Sequence, residues 1–533
     1  MTPEELDREL GDPADPENPF GWAAAVRRDE EGEFPEELCG VLRKHDFHLN
    51  YLPRELGGTF ESFDRSLTLV RTAARRDLNV MPGTMFSITA ATCVRLHGST
   101  AQQERVAEIL RRGGSVAFAM SEADHGSDLL ANEVRLTPEG EGWRLDGTKW
   151  MVGLGQRSGA AYVVARTGER GPGAFSAVLA DLDGVERGPE VPTGGMRGID
   201  FAHLRFDRHP VAADELVGRQ GEALEAAVKA QQVVRLMSTA GSLGCADTAL
   251  RLTLDFAAER RIGRTLLIES PYPRRELAIA SAALLAADAV ALAAARGIHV
   301  VPEQFSVWGC AAKHVVAEAV EDAMGRCATV LATRSVLRTE GPGGGMFQKL
   351  QRDAALVRVV DTSTVANLRS FAGQLPALMK GLDEAADPRA VREVFDLGAE
   401  LPPFDPARLD LNARGRDLVT AGLPDTGPIH RHLADLSVQV ATADPKGNEL
   451  VDLAERFAWL HAAAACLHLW VVNRENEVLG RPDWLTAVLA YLLSRAEGTP
   501  VRRREAELLP ALATVRDLHG RGRLFSAVPV DLT

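Results

Sequence analysis

The sequence of 533 residues predicts an α+β, mainly α chain with a helical N-terminal domain, a central antiparallel β domain, a four-helix bundle and an additional helical C-terminal domain. Three observations predict it. Apolar residues recur at three and four positions through 38–42, 63–70 and 106–110, which is the period of a helix face. Between about 115 and 220 the period drops to two, in runs such as 161–165 and 175–180 separated by Gly, Asp and Pro, as in short strands. After Asp214 the helical period returns in 223–234, 246–258, 277–295 and 305–332, and four long segments of this kind suit an antiparallel bundle.

The resulting division is an N-terminal extension at 1–33, helices at 34–114, strands at 115–220, the bundle at 221–380 and the added helices at 381–533. A chain of this length outgrows a single core, so packed domains are expected. With 45% hydrophobic and 25% charged residues it should be folded nearly throughout. A net charge of -14 argues against nonspecific binding to nucleic acid or to an anionic membrane, because both would repel the average surface. The six cysteines form no Cys-x-x-Cys pair and have no nearby His at ligand spacing, so they read as core residues of a reducing cytoplasm and no metal site is predicted. The acidic start lacks the basic and apolar stretches of a secretory signal. The segment 277–295 is the most membrane-like, yet it is Ala-rich, interrupted by Asp288 and flanked by Arg274, Arg275 and Arg296, so a buried bundle helix is expected and no membrane span. The excess of Arg over Lys and the abundant Ala suggest a bacterial source. The last portion opens with a Pro-rich link, Leu401-Pro402-Pro403-Phe404-Asp405-Pro406, and its clearest helix covers 450–473.

Chemistry concentrates in Phe118-Ala119-Met120-Ser121-Glu122-Ala123-Asp124-His125-Gly126-Ser127-Asp128 and in Asp146-Gly147-Thr148-Lys149-Trp150. In their order, their separation and their helical flanks these segments resemble the acyl-CoA dehydrogenase family, and Pro53-Arg54-Glu55-Leu56-Gly57-Gly58 adds a Pro-x-Glu-x-Gly-Gly signature. The resemblance covers about two thirds of the chain, with 381–533 lying beyond the family's usual three-domain core. It implies an FAD site in which Ser121 and nearby amides meet the flavin, with Phe118, Met120 and Met151 around it, and in which Ser127 touches the carrier part of the substrate. Trp150 reads better as β-domain core. Where the family often places a Thr hydroxyl near flavin N5, this chain has Gly153.

The resemblance also implies a base on one face of the substrate and a flavin on the other, so that the α-proton and the β-hydride leave in concert. Seven positions after Ala354 of Arg352-Asp353-Ala354, where the family carries Glu-Gly-Thr, stands Asp361-Thr362-Ser363. Asp361 is the candidate base, withdrawn by roughly 1.5 Å, one carbon–carbon bond, and misplacement on that scale slows proton transfer by about a hundredfold unless the backbone compensates. The Thr362 amide would hold the thioester carbonyl. The alternative is that Asp361 caps the helix that follows. Arg260 and Arg261 resemble the element that holds the flavin pyrophosphate, or else form a basic cluster at a helix end. Gly343 and Gly344 match a side-chain-free turn at the cofactor, with Ser363 also facing it. His461 and His468, two turns apart on one helix face, read as core histidines.

The function these residues imply is FAD-dependent α,β-dehydrogenation of an acyl thioester carried on coenzyme A or an acyl carrier protein, in a specialised pathway. Electrons would pass to an electron-transfer flavoprotein or to oxygen, and the resemblance implies a homodimer or homotetramer. A flavin oxidase or monooxygenase on the same fold is the second reading. A noncatalytic flavin-binding or DNA-associated protein, suggested by a family relative with an added helical domain, is the third, and the acidic surface counts against it.

Overall fold

The computed structural model describes residues 1–360, 362–382, 384–423, 427–445 and 447–533. They sort into two compact units, one made of 27–61 and 79–234 and the other of 2–26, 62–78 and 235–533. The principal helices in chain order are α1 (Pro3–Leu10), α2 (Phe63–Ala74), α3 (Ile88–His97), α4 (Ala223–Glu259), α5 (Pro271–Val300), α6 (Phe305–Leu331), α7 (Met346–Val359), α8 (Thr364–Ala372), α9 (Glu449–Val472), α10 (Trp484–Ala496) and α11 (Glu505–Gly520).

The first unit is built on a sheet of β1 (Val116–Ala119), β2 (Arg135–Glu139), β3 (Gly142–Gly153), β4 (Ala160–Arg166), β5 (Phe175–Asp181), β6 (Glu186–Arg187), β7 (Phe201–Val211) and β8 (Leu216–Val217). The strands lie in the order β6-β7-β3-β2-β4-β5-β8, with β1 added beside β4. Most pairs are antiparallel as expected, but β1 runs parallel to β4, and β2 meets β4 in parallel through a single residue pair. All of β4 from Ala160 to Ala165 is buried, which fits a strand covered on both faces. The register of β3 on β7 slips between Lys149 opposite Leu204 and Val152 opposite Ala202, so two residues face one. This is a β-bulge, and Met151 takes it up at φ 49°.

In the second unit α5 is long and apolar enough to cross a membrane by length and composition, yet its apolar window is entirely buried within the chain. It packs against α6, α9, α10 and α11, so the expected buried helix is observed. The segments 223–234 and 246–258, expected as separate helices, are one continuous α4, and α7 supplies the fourth bundle helix. Gly244 explains the continuity: a Cβ there would stand 2.8 Å from the Ala74 Cβ and 2.8 Å from the Arg71 carbonyl. The glycine is therefore a point of close helix approach rather than a break. Lys313 on α6 ties the bundle by donating to Ser238 on α4 at 3.2 Å and to the Val357 carbonyl on α7 at 2.6 Å. The helix expected over 450–473 appears as α9, displaced by one residue.

A buried charge cluster fastens this unit. Asp247 of α4 lies 2.7 Å from Arg251, 3.1 Å from Arg75 and 3.4 Å from Arg71. Arg71 also pairs with Asp288 of α5, and Asp7 of α1 lies 2.7 Å from Arg76 and 3.3 Å from Arg75. Residues 525–527 complete the carboxylates: the Phe525 amide donates to Asp247 at 2.9 Å, and the Ala527 amide and Ser526 hydroxyl donate to Asp288 at 2.9 and 2.8 Å. The Thr533 amide does the same for Asp7 at 2.7 Å. Buried charges persist only when paired and hydrogen-bonded, and these side chains meet that requirement jointly.

Candidate active site

In the first unit the chain leaves β1 at Ala119 and enters a segment locked from three sides. Asn132 and Lys149 both donate to the Met120 carbonyl at 2.9 Å, and the Trp150 amide donates to the Ser121 carbonyl at 2.9 Å. Lys149, buried completely, also reaches Glu122 at 2.7 Å, and Glu122 accepts the amides of Glu133 and Val134. Burial draws the Lys149 ammonium down to about 8 against the pull of Glu122. The upward push of burial on Glu122 is outweighed by Lys149 and the two amides, which hold the carboxyl below its usual range. Both partners are charged at neutral pH, and a charged pair this well hydrogen-bonded fixes the backbone it spans.

The segment leaves the Ser121 hydroxyl half-buried and, among the described residues, without a hydrogen-bond partner. Met120, its neighbour in sequence, and Met151, next to the Trp150 whose amide binds the Ser121 carbonyl, are half-buried, and Phe118 stacks on Tyr162 with ring centroids 5.9 Å apart. Ser127 is exposed on the turn that follows. Trp150, expected in the core, is instead 36% exposed and stacks on His203: it follows the buried Lys149 and so takes the opposite face of the strand. Gly153 closes β3 with the Phe86 ring lying where its side chain would be.

The remaining predicted residues belong to the second unit. Arg260 and Arg261 are exposed at a small hairpin of 261–262 with 265–266, and Arg261 donates to the Arg264 carbonyl at 3.0 Å. Gly343, Gly344 and Gly345 have φ of 63°, 64° and 98° in the turn before α7. Space around Gly344 is open, while a Cβ on Gly345 would stand 1.9 Å from the Arg338 carbonyl, so the turn requires glycine there. Asp361 lies outside the described residues. Thr362 has φ 95°, an outlier for a β-branched residue. The capping oxygen of α8 belongs to Ser363, which accepts the Ala366 amide at 3.4 Å and keeps its own O–H free to donate.

Sequence reasoning missed two residues. Arg235 on α4 is 6% exposed and donates to the Thr362 hydroxyl at 3.3 and 3.4 Å and to the Cys310 sulfur at 3.4 Å. Among the described residues it has no carboxylate partner, and a buried guanidinium in that position marks a place where charge is used. Its one signal in the sequence is an Arg set inside the apolar run 233–237. The other is Phe86, which no motif marks. The Arg352-Asp353-Ala354 motif also gains a structural account: Asp353 and Asp77 hold the buried Lys349 ammonium at 2.6 and 2.8 Å, anchoring α7.

Residues 117–209 match the acyl-CoA dehydrogenase middle domain and residues 222–364 the acyl-CoA dehydrogenase C-terminal domain. Among curated proteins the chain is similar to a probable acyl-CoA dehydrogenase, FadE25, of Mycobacterium tuberculosis, 25% identical over 44% of this chain and 62% of the relative. It is also similar to a 3-sulfinopropanoyl-CoA desulfinase of Paraburkholderia xenovorans, 28% identical over 45% of this chain and 64% of the relative. In both cases the chain spans less than two thirds of the relative's length. Among solved structures, an acyl-CoA dehydrogenase complexed with FAD from Bacillus anthracis superposes with a TM-score of 0.71 at 14% identity, covering 98% of this chain and 96% of that one. A glutaryl-coenzyme A dehydrogenase in complex with glutaryl-CoA covers 68% of this chain and 92% of its own, with a TM-score of 0.62 at 20% identity. The added helical region, set outside the expected resemblance, thus has a counterpart in fold.

Proposed function

We infer, from the match of residues 117–209 and 222–364 to the acyl-CoA dehydrogenase middle and C-terminal domains, that the chain is a member of that family and a flavin oxidoreductase that uses FAD to introduce an α,β double bond into an acyl thioester. The observation that carries this reading is the segment 120–122. Its backbone is pinned by Lys149, Asn132 and the Trp150 amide, yet it leaves the half-buried Ser121 hydroxyl without a hydrogen-bond partner among the described residues. A rigidly held polar atom left open in this way fits a flavin ring. The open, side-chain-free Gly344 turn and the exposed Arg260 and Arg261 fit a phosphate-bearing tail.

When bound, FAD supplies the acceptor for the hydride that leaves the β carbon. The protein's own part begins with Asp361, which takes the α-proton. The Thr362 amide holds the thioester carbonyl and so acidifies that proton. Arg235 donates to the Thr362 hydroxyl and so holds the turn that carries that amide. Ser121 orients the ring, and Ser127 meets the carrier arm. Coenzyme A is the proposed carrier, supported by the coenzyme A thioesters in the names of the relatives. Electrons pass on to an electron-transfer flavoprotein, a specialised pathway supplies the acyl group, and the protein works as a homo-oligomer in the cytoplasm. One observation favours the oxygen-using reading: Gly153 brings no hydroxyl to the flavin edge, because Phe86 fills its place.

The test is the visible spectrum taken anaerobically with a panel of acyl-CoA and acyl-carrier thioesters. Bleaching by a coenzyme A thioester, abolished in Asp361→Asn, is the expected result. Bleaching by carrier-protein thioesters alone would reassign the carrier, normal bleaching in Asp361→Asn would remove the role given to that residue, and peroxide release in air would select the oxidase reading.

A further inference from the structure

Gly153 stands where a hydroxyl-bearing side chain is expected, and its lack of a side chain is enforced. A Cβ built on Gly153 would lie 2.3 and 2.4 Å from Cδ2 and Cε2 of Phe86, far inside van der Waals contact. The ring has little room to yield. Phe86 sits in the tight junction between the helical turn Val80–Met85 and α3, with helical backbone angles on its own residue. Its ring leans on Phe201, with centroids 5.8 Å apart at 54°, and Phe201 is the residue paired with Gly153 across β3 and β7. Gly153 and its cross-strand neighbour together form the seat for a ring that arrives from another part of the chain. Despite this seat Phe86 is only half-buried, so part of the ring remains open at the end of β3.

We propose that Phe86 takes over the role of the residue-153 side chain and is the group that the reactive edge of the flavin meets in this protein, which rests on the flavoprotein reading given above. An aromatic ring at that position offers no hydrogen bond to a flavin nitrogen. It supplies an apolar contact that keeps water away from the edge, and polar tuning of the ring is left to Ser121 and the main chain.

The experiment compares Gly153→Thr, Phe86→Ala and the double variant with the parent, measuring thermal unfolding without FAD and FAD dissociation constants with absorbance spectra. Gly153→Thr alone should melt lower by about 5 °C, because two groups cannot share one site, and adding Phe86→Ala should restore most of the loss. Phe86→Ala should weaken FAD by about three- to tenfold, the worth of one aromatic contact, and should shift the flavin's visible band as water reaches its edge. Equal stability of Gly153→Thr and parent would overturn the pairing. Stability coupling accompanied by an unchanged FAD affinity and spectrum in Phe86→Ala would overturn the flavin role alone, and a parent chain that binds no FAD would overturn the flavoprotein reading beneath it.

Discussion

Replacing Asp247 with Ala tests whether the buried charge cluster holds the second unit together. The carboxylate is fully buried and answers three guanidinium groups that are themselves 1%, 5% and 8% exposed, on Arg71, Arg75 and Arg251. Removing it does not treat the three alike. Arg71 keeps Asp288 and the Phe525 carbonyl, and Arg75 keeps Asp7 at 3.3 Å. Arg251 loses its only carboxylate in the cluster and retains the Arg523 carbonyl and the ring of His519. One buried cation is thus left without a carboxylate, and the Phe525 amide loses its acceptor as well. Stranding one member of a buried pair costs about 3–5 kcal/mol, and the orphaned amide adds about 1–3 kcal/mol. The fall in stability should therefore exceed about 3 kcal/mol, read from the urea midpoint followed by far-UV circular dichroism, with the slope unchanged. The pH dependence supplies a second check on Asp247→Asn. Burial alone would raise the Asp247 carboxyl, but Arg251, Arg75 and Arg71 outweigh it and hold it far below the usual carboxylate range. A depressed acid contributes its stability above its unfolded value, near pH 4, and loses it as the pH falls further toward the folded value. The gap between parent and Asp247→Asn should be constant above about pH 4 and narrow below it. A loss under about 1 kcal/mol in Asp247→Ala, or a gap that closes as the pH rises, would refute the reasoning.

Asp288→Asn should be the milder change, because burial outweighs Arg71, Ser526 and the Ala527 amide and raises that carboxyl, so its charge is held at a cost. Chemical denaturation should place its loss below that of Asp247→Asn, and the reverse order would be evidence against the opposite shifts. Lys149→Met takes the cation from Glu122 and leaves the Met120 carbonyl to Asn132 alone, so a loss of about 3–5 kcal/mol and faster FAD release are expected, and gel-filtered protein that keeps its parental flavin content would count against the pinning role. Thr362→Gly relieves the φ of 95° and should raise stability by a few tenths of a kcal/mol up to about 1 kcal/mol, while flavin bleaching slows because Arg235 has lost its acceptor; unchanged bleaching would remove Arg235 from the mechanism.

How far each feature was legible in the sequence follows from the range of the interactions behind it. The helix α9 was readable to within one residue at either end because twenty-odd residues repeat one local period. The junction inside α4 was not, because Ser238, Thr239, Gly241 and Gly244 weaken the local pattern, while the contact that keeps the helix running is made with α2, far away in the chain. The segment around Ser121 and Lys149 was readable because its partners sit within a few tens of residues and carry a contiguous motif. Arg235 meets Thr362 across 127 residues, and Phe86 reaches Gly153 from a helix junction with no motif of its own. The placement of Trp150 failed for a third reason: the inward position of β3 is taken by Lys149, a charged residue buried through its pair with Glu122, so alternation turns the apolar Trp150 outward.

The cluster around Asp247 and Asp288 has a consequence for the order in which the protein is made. The Phe525 amide that completes Asp247 is translated 278 residues after it. At about 5–20 residues per second, the aspartate therefore waits roughly 15–55 s for its last partner, with its arginines already in place around it. During that interval α5 lacks first the helices α9, α10 and α11 that cover it and then, with α4, the amides that complete Asp288 and Asp247, so the second unit should not reach its final packing. A nascent chain halted before residue 523 should remain sensitive to protease in α4 and α5 while the sheet of the first unit, whose partners all lie between 116 and 217, is already closed.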